Sequence, residues 1–365
     1  MNTTARTLMP DGRRILLPAV CDVSVTNVCN AACDFCGFAR DKGLAGPHRR
    51  INPQDFLRAL PVLHRRGIRY MTFQGGEPLA HPEIVGLVAM ADGFGIECGL
   101  ITNGWLLPLH ATALAAAGLR RLSISIDSDD MAVHEANRGL SGLGERIREG
   151  VALAHAAGIP VCASVTVSRL VDYDALPAAL ARLGFDAVAF SYPRREPLGS
   201  SSLVHGADSA LIDLETGELL AALDAIRRLK ARFRVLNPTA ALAEVGRFVR
   251  GEAQRIPCIG GHKYFYVDWN LDLWRCEAWS EPMGSVFDLD GIPDRRDPCN
   301  ACMMACYRHA SVMMHGAVAV GDAAKALSRG EIGAAVGHLF QRGVALSLWT
   351  VAVEKWPRVR RRARR

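Results

Sequence analysis

Apolar and polar positions along residues 20–192 follow two alternating patterns. Short runs rich in β-branched residues predict strands, and longer segments with apolar residues three and four apart predict helices. This alternation is typical of repeated strand–helix units and predicts an α/β fold with a parallel sheet. The predicted strands are 20–26, 70–74, 97–102, 121–126, 161–167 and 187–192. The predicted helices are 53–66, 82–93, 107–117, 145–157 and 175–183.

Polar residues lie where several of these strands end. Residues 75–77 follow the second strand, residues 102–104 end the third, and Ser125 and Asp127 lie in or just after the fourth. Ligands of parallel α/β barrels bind at the carboxyl ends of the strands. We therefore expect these side chains to border one binding site.

Composition narrows the class of protein. The chain has 365 residues, 50% of them hydrophobic, enough for one large domain with an appendage. Its 11 cysteines stand largely in short-spaced groups and no secretory signal opens the chain, which favours metal ligation in a reducing cytoplasm over disulfides. Much of the formal charge of +6 comes from residues 358–365 (RVRRRARR), so we expect no nucleic-acid partner.

The first cysteine group is Cys29, Cys33 and Cys36 in the run CNAACDFC. Three thiolates can hold three irons of a four-iron cluster and leave the fourth iron open to a small molecule. A zinc knuckle or three buried thiols is the alternative interpretation.

The Cys-x3-Cys-x2-Cys spacing, with Phe35 before the last cysteine, resembles the signature of the radical S-adenosylmethionine (SAM) superfamily. The resemblance implies a [4Fe-4S] cluster whose open iron is chelated by SAM. An electron from the reduced cluster then cleaves the sulfonium and gives a 5′-deoxyadenosyl radical. The resemblance also implies a partial (β/α)6 TIM-like barrel with a small cysteine-rich C-terminal extension, and a flavodoxin- or ferredoxin-type electron donor.

Residues 75–78 (GGEP) resemble the element of this superfamily that binds the amino group of SAM, and two glycines leave the backbone bare for a ligand. The resemblance assigns that contact to Gly75, Gly76 and Glu77. A plain loop is the alternative for a lone motif of this kind.

Further resemblances concern the other end of the cofactor. Residues 134–139 resemble the His…Arg-Gly element, in which Arg138 would pair with the methionyl carboxylate. Ser125 and Asp127 are candidates for the ribose hydroxyls, with a cap at the strand end as the alternative. Phe35 and residues 190–192 are candidates for adenine contacts, with core packing as the alternative.

Five more cysteines lie within fifty residues near the C-terminal end. A hairpin-like pattern with Asn270 at its turn separates the first two. This arrangement resembles the twitch and SPASM extensions of radical SAM enzymes, which hold an auxiliary [4Fe-4S] cluster, with Asn270 replacing the usual turn glycine. Zinc is the competing occupant. The implied cluster ligands are Cys258, Cys276, Cys299 and Cys302, with Cys306 an alternative ligand or a free thiol.

Within residues 264–308, Cys276 is followed by Trp279 and Pro282, then by Val286-Phe287 and a Cys-x2-Cys-Met-x2-Cys element. This order resembles the C-terminal part of the radical enzyme of hopanoid biosynthesis that joins an adenosyl group to a triterpene alkene. Residues 334–356 form an apolar stretch, with Trp349 and Trp356 near its end, that is too interrupted to span a bilayer. They predict either an interfacial helix, aided by the polyarginine end at about 1 kcal/mol per residue, or a helix packed on the barrel.

Together these features predict four segments: residues 1–18, a radical SAM barrel at 19–235, an auxiliary-cluster domain at 236–312 and a helical, basic tail at 313–365. The predicted protein is a cytoplasmic enzyme, with peripheral contact to the inner face of the membrane as an option. It would act on an unactivated carbon of a small molecule or lipid, by oxidation or carbon–carbon bond formation. Adenosyl addition to an alkene is one alternative, and a noncatalytic iron–sulfur carrier or zinc scaffold is another.

Overall fold

Nine strands form one open sheet in the computed structural model, which describes residues 17–193 and 200–354. The spatial order is β6-β5-β4-β3-β2-β1-β7-β8-β9. The strands are β1 Ala19–Thr26, β2 Ile68–Gly75, β3 Glu97–Thr102, β4 Leu119–Ile126, β5 Val161–Thr166, β6 Ala187–Ser191, β7 Tyr264–Val267, β8 Asp272–Trp274 and β9 Pro282–Ser285.

Helices connect and cover these strands. They are α1 Pro53–Arg65, α2 Ile84–Gly93, α3 Leu107–Ala116, α4 Met131–Arg138, α5 Leu143–Ala156, α6 Leu176–Leu183, α7 Thr216–Leu229, α8 Thr239–Val249, α9 Ala305–Ser328, α10 Ile332–Leu339 and α11 Val344–Glu354. Short 3₁₀ helices lie at Pro78–Ala80 and Val286–Gly291.

The first six strands are all parallel to their neighbours, with the predicted helices between them. The helix at Pro53 begins where the sequence indicates, because the Asn52 side chain accepts hydrogen bonds from two backbone amides of the first turn and Pro53 needs no partner for its nitrogen. Within the described residues β6 and β9 are the edges, so the sheet does not close. The predicted α/β partial barrel is confirmed.

The C-terminal extension continues the same sheet. Strand β7 pairs parallel with β1, and β7, β8 and β9 then form antiparallel pairs. The hairpin is present with Asn270 in its turn, as predicted, but the left-handed residue is the next one, Leu271 (φ 64°). The Asp268 carboxylate accepts from the amides of Asn270 and Asp272, which fixes the turn one residue later. The left-handed backbone conformation costs Leu271 about 1–2 kcal/mol, and burial of its side chain offsets this cost.

The described part of the apolar stretch, residues 334–354, lies in two helices rather than one, and Trp356 lies outside the described residues. The chain turns at Gly343 (φ 88°), where a Cβ would collide with the Ile256 side chain. Helices α10 and α11 both pack against α9. No described helix is long and apolar enough to cross a membrane. The basic residues 358–365 and residues 1–16 lie outside the described residues.

Candidate active site

The first cysteine group lies in the loop that follows β1. Cys33 is buried, and Cys29 and Cys36 are partly buried. Burial, together with the charges of Glu77, Cys33 and Cys36, raises the pKa of Cys29 to about 12. Burial and the charge of Cys33 also raise the pKa of Cys36 to about 12. The three thiols therefore form one group in which bound metal would be needed to stabilise the thiolates.

The glycine loop after β2 is joined to the chain that enters this cysteine loop. The Gly76 amide donates to the Thr26 carbonyl (2.8 Å), and the Glu77 amide donates to the Val28 carbonyl (2.8 Å). A Cβ at Gly75 would collide with Thr26, and one at Gly76 would collide with Val28. The glycines are therefore required for contact between two loops, whereas we expected them to expose backbone to a ligand.

The Glu77 side chain is fully buried and ties the end of β2 to the end of β3. Its carboxylate accepts from the Thr102 hydroxyl (2.6 Å) and from the amides of Asn103 (2.7 Å) and Leu79 (3.0 Å). Burial raises its pKa, and these hydrogen bonds oppose the rise. The Asn103 side chain in turn donates to Asn30 (2.7 Å), inside the cysteine loop.

Asp127 and Arg138, which we assigned to separate contacts with SAM, form a buried ion pair with each other. Arg138 donates through Nε and Nη2 to the two carboxylate oxygens, at 2.8 and 2.7 Å. Asn137 adds a third hydrogen bond to Asp127 at 2.9 Å. Burial alone would raise the pKa of Asp127, but the Arg138 guanidinium and His134 outweigh it and hold the pKa well below its usual range.

Helix α4 also supports the cysteine loop, through its C-terminal end. The Ala32 amide donates to the Arg138 carbonyl (2.8 Å), and Arg40 donates to the Gly139 carbonyl (3.1 Å). We did not predict this helix, although two signals were available. Asp130 caps its first turn, and Gly139 (φ 59°) ends it in the left-handed conformation.

The remaining candidate contacts are spread along the sheet end. Ser125 is half-buried on β4, and its register partner on β5 is Ser164. The buried Phe35 ring lies 5.8 Å from the His205 ring. At the end of β6, Phe190 is buried and the Tyr192 hydroxyl accepts from the Asn237 side chain at 2.9 Å. Phe190 in β6 and Tyr192 just after it thus both have partners within the protein.

A segment around residues 203–207 covers the cysteine loop and was not anticipated. The Gly37 amide donates to the Leu203 carbonyl (2.9 Å), and the His205 imidazole lies 3.3 Å from the Thr166 hydroxyl at the end of β5. No motif marks this segment. Its position follows from the return of the chain over the strand ends, which local pattern does not reveal.

The second cysteine group gathers around Cys276, just after β8. Burial, together with the nearby charges of Cys302, Cys258 and Cys299, raises the pKa of Cys276 to about 12. These are the four predicted auxiliary ligands. Cys306 has partly different neighbours: after burial, the Glu277 and Asp22 carboxylates raise its pKa most, and the charge of Cys302 adds a smaller rise.

The spacing of the thiols bears on what they could hold. A tetrahedral zinc ion has Zn–S bonds of about 2.3 Å, which brings its sulfurs within about 4 Å of one another. Among the described residues, the one group of three or more Cys, His, Asp or Glu side chains with ligand atoms all within 4.8 Å is Asp22, Glu277 and Cys306. In neither cysteine group, therefore, do three thiols all lie within 4.8 Å of one another, which is wider than the sulfurs around one zinc ion.

The chain matches known proteins over its barrel. Residues 23–186 match the family described as the Radical SAM superfamily. An AdoMet-dependent heme synthase of Nitratidesulfovibrio vulgaris is 35% identical over 147 residues, 40% of this chain and 39% of that protein. A GTP 3′,8-cyclase of Erythrobacter litoralis is 33% identical over 175 residues, 46% of this chain and 51% of that protein. The chain thus spans about half or less of the length of these relatives.

Solved structures share the fold over more of the chain. Streptococcus suis SuiB bound to S-adenosylmethionine has a TM-score of 0.56 at 14% identity, covering 76% of this chain and 66% of SuiB. The FeFe-hydrogenase maturase HydG of Carboxydothermus hydrogenoformans has a TM-score of 0.51 at 12% identity, covering 96% of this chain and 85% of HydG. At these identities the likeness concerns the fold alone.

Proposed function

Because the chain carries a radical SAM domain at residues 23–186, we propose that it is a radical SAM enzyme acting on an unactivated carbon of a small molecule or lipid. The observation that carries this proposal is the joining of three motifs at one sheet end. The cysteine loop, the loop at 75–78 and the end of α4 are held together by direct hydrogen bonds. An electron carrier or a zinc scaffold would not need the second and third motifs.

We assign the [4Fe-4S] cluster to Cys29, Cys33 and Cys36, whose spacing suits a cluster better than one zinc ion. When bound, the cluster and SAM supply one-electron reductive cleavage of the sulfonium. A flavodoxin- or ferredoxin-type protein is the electron donor that we propose.

The side chains around the loop have two kinds of role in this proposal. Gly75, Gly76 and Glu77 shape and position the loop that borders the SAM amino group. Arg138 is held by Asp127 through two of its nitrogens, and Nη1, which Asp127 does not use, is the donor that we assign to the methionyl carboxylate.

The opposite end of the cofactor has weaker assignments. Ser125 remains our candidate for a ribose hydroxyl, and Phe35, beside His205, remains our candidate for the adenine. Both oxygens of Asp127 accept from Arg138, so we favour a positioning role for it over direct ribose binding.

We propose a second [4Fe-4S] cluster at Cys258, Cys276, Cys299 and Cys302. The proximity of the other three thiols to Cys276 and their wide spacing favour a cluster over zinc. An auxiliary cluster could accept an electron from a substrate radical, which suits oxidation or dehydrogenation. The hopanoid-like segment at 264–308 favours adenosyl addition to a terpenoid alkene instead. Detection of free 5′-deoxyadenosine would indicate oxidation, and detection of an adenosylated product would indicate addition.

Equilibrium binding of SAM to the anaerobically reconstituted protein tests the proposed function. We expect saturable binding that is lost in Cys33→Ala and retained in Cys98→Ala, which changes a buried thiol on β3 outside both groups. A fully iron-loaded protein without affinity for SAM would instead favour the carrier hypothesis.

We further propose that the C-terminal helices contact an anionic membrane surface. Ten of the fifteen exposed large hydrophobic side chains of the described residues lie between 320 and 353, among them Phe340 (85% exposed) and Trp349 (68%). The arginine-rich residues 358–365 follow directly in sequence, and anionic lipid complements their charge.

Vesicle flotation tests this contact. We expect the protein to float with phosphatidylglycerol-containing vesicles, to remain unbound with pure phosphatidylcholine, and to lose binding in the double variant F340E/W349E. Leu109→Glu is the matched control, because Leu109 is also exposed (70%) but lies on α3. Dimerisation without vesicle binding would assign the apolar face to a second copy of the chain.

A further inference from the structure

Asp22, Glu277 and Cys306 converge from three distant parts of the chain inside the protein. Asp22 lies in the middle of β1, Glu277 follows Cys276 after β8, and Cys306 lies in the first turn of α9. Their ligand atoms all lie within 4.8 Å of one another. Asp22 and Glu277 are 3% and 4% exposed, so two carboxylates lie close together away from water.

The hydrogen bonds around the two carboxylates leave them ready to bind a cation. The Tyr264 hydroxyl donates to Asp22 (2.9 Å), and the side chains of Gln74 and Ser202 donate to Glu277, each at 2.9 Å. These three donors are uncharged and orient the oxygens. Burial and the charge of Glu277 raise the pKa of Asp22 to about 7, and the Arg121 charge only partly opposes the rise. Burying carboxylates costs several kcal/mol each unless a positive charge compensates.

A second observation points to a ligand here. The Tyr307 hydroxyl is buried and makes no hydrogen bond to the described residues. Its ring lies 4.5 Å from the ring of Tyr264, which donates to Asp22, so Tyr307 lies beside the same group. Burial and then the charges of Glu277, Cys306, Cys276 and Asp22 raise the pKa of Tyr307 well above its usual value. A buried hydroxyl without a partner costs about 1–3 kcal/mol, and a water or substrate atom on a bound ion would satisfy it.

We propose that Asp22, Glu277 and Cys306 form a mononuclear site for a zinc-type divalent ion, distinct from both cysteine groups. A thiolate together with carboxylates suits zinc or ferrous iron and disfavours magnesium and calcium, which take oxygen ligands. Three protein ligands leave a fourth position open, as in catalytic zinc sites. In this proposal Cys306 binds the ion, and the auxiliary cluster keeps the four cysteine ligands proposed above.

Zinc titration of the anaerobically iron-loaded protein tests the site, with metals counted by mass spectrometry. Zinc binds such ligands more tightly than ferrous iron does, so it would also displace iron from the site. We expect about one zinc per chain with the cluster absorbance unchanged. Asp22→Asn, Glu277→Gln and Cys306→Ser should each lose this zinc. Glu244→Gln, which changes a buried carboxylate on α8, should keep it.

Two outcomes would overturn the proposal. One is zinc binding that persists in the three site variants but disappears in C299S/C302S, which would place the ion at the auxiliary cysteines. The other is a loss of about four irons in Cys306→Ser, which would make Cys306 a cluster ligand. If a variant loses its circular dichroism spectrum, cobalt titration of the iron-loaded wild-type protein replaces it. Iron then occupies both cysteine groups, so Cys306 is the thiolate available to cobalt at this site, and absence of a cobalt–thiolate absorption band overturns the site. Failure of the proposed function would appear separately, as absent SAM binding.

Discussion

At the scale of single residues, the buried pair of Asp127 and Arg138 combines stability with function. Both side chains are almost wholly buried, and the guanidinium forms two parallel hydrogen bonds with the carboxylate. Such a pair fixes Arg138 in direction as well as position, which a single point charge would not do. The pair also helps to position the cysteine loop, because the Arg138 carbonyl accepts a hydrogen bond from the Ala32 amide of that loop.

Replacing Asp127 by Asn should leave the Arg138 charge buried without its partner. We expect the free energy of unfolding to fall by about 3–5 kcal/mol, as measured by urea denaturation. The folded pKa of Asp127 is depressed, so its contribution is present above the ordinary carboxyl pKa of 3.8 and is lost as pH falls below it. Perturbed pKa values in proteins vary on a scale of ~1 unit, so the variant and the wild-type protein should lose different amounts of unfolding free energy between pH 5 and pH 3. An equal loss in both proteins would contradict this account.

Replacing Gly76 by Ala should displace the cysteine loop, because the new Cβ would collide with the Val28 carbonyl and backbone cannot easily give way. We expect the variant to lose much of its cluster iron and its SAM binding. Gly86→Ala on α2 is the control, since its Cβ would make only an ordinary contact with the Glu83 carboxylate (3.8 Å) and a helix gains about 0.5–1 kcal/mol from the change. Normal iron content in Gly76→Ala would show that the loops do not depend on this contact.

Residue types and spacing in the sequence predicted the cysteine groups, but not the partners of individual side chains. The motif that contains Glu77 is visible in the sequence, yet its hydrogen bonds to Thr102 and Asn103 depend on how β2 and β3 align. Asp22 and Glu277 stand 255 residues apart and carry no motif, so only the fold brings them together.

At the scale of secondary structure, the hairpin of β7 and β8 places Cys276 in the second cysteine group. Its turn is built by Asp268, whose carboxylate accepts from two backbone amides of the turn and from the Trp274 indole at 3.2 Å. The hairpin was predictable because its strands are apolar and its turn is polar. The identity of the left-handed residue was not, since Leu271 disfavours that conformation by itself.

Replacing Asp268 by Ala should loosen this turn. We expect unfolding free energy to fall by about 1–3 kcal/mol, and the auxiliary iron to be lost while SAM binding remains. Iron counts and SAM binding on the same sample measure both effects. Loss of both together would mean that the two sites do not fold independently.

At the scale of the whole molecule, one sheet carries both cysteine groups. Strand β1 precedes the first group and pairs with β7, which leads through β8 to Cys276. The hydrophobic pattern predicted the parallel strands because each is buried by its neighbours. The continuation into β7 was not predictable, since pairing between strands about 240 residues apart leaves no local signal.

A variant in which Cys29, Cys33 and Cys36 are all changed to alanine isolates the second group. If Cys258, Cys276, Cys299 and Cys302 hold a cluster, about four irons and matching sulfide should remain after anaerobic reconstitution. Zinc without iron in this variant would make the second group structural. Adenosyl addition would then be the favoured reaction.

The most direct test of the central claim is the reductive cleavage of SAM by the reconstituted protein. With dithionite as reductant, wild-type protein should release methionine and 5′-deoxyadenosine, detected by liquid chromatography and mass spectrometry. The Cys33→Ala variant should release neither, and Cys98→Ala should match the wild-type protein. If the wild-type protein holds its full complement of iron and neither binds nor cleaves SAM, it is not a radical SAM enzyme.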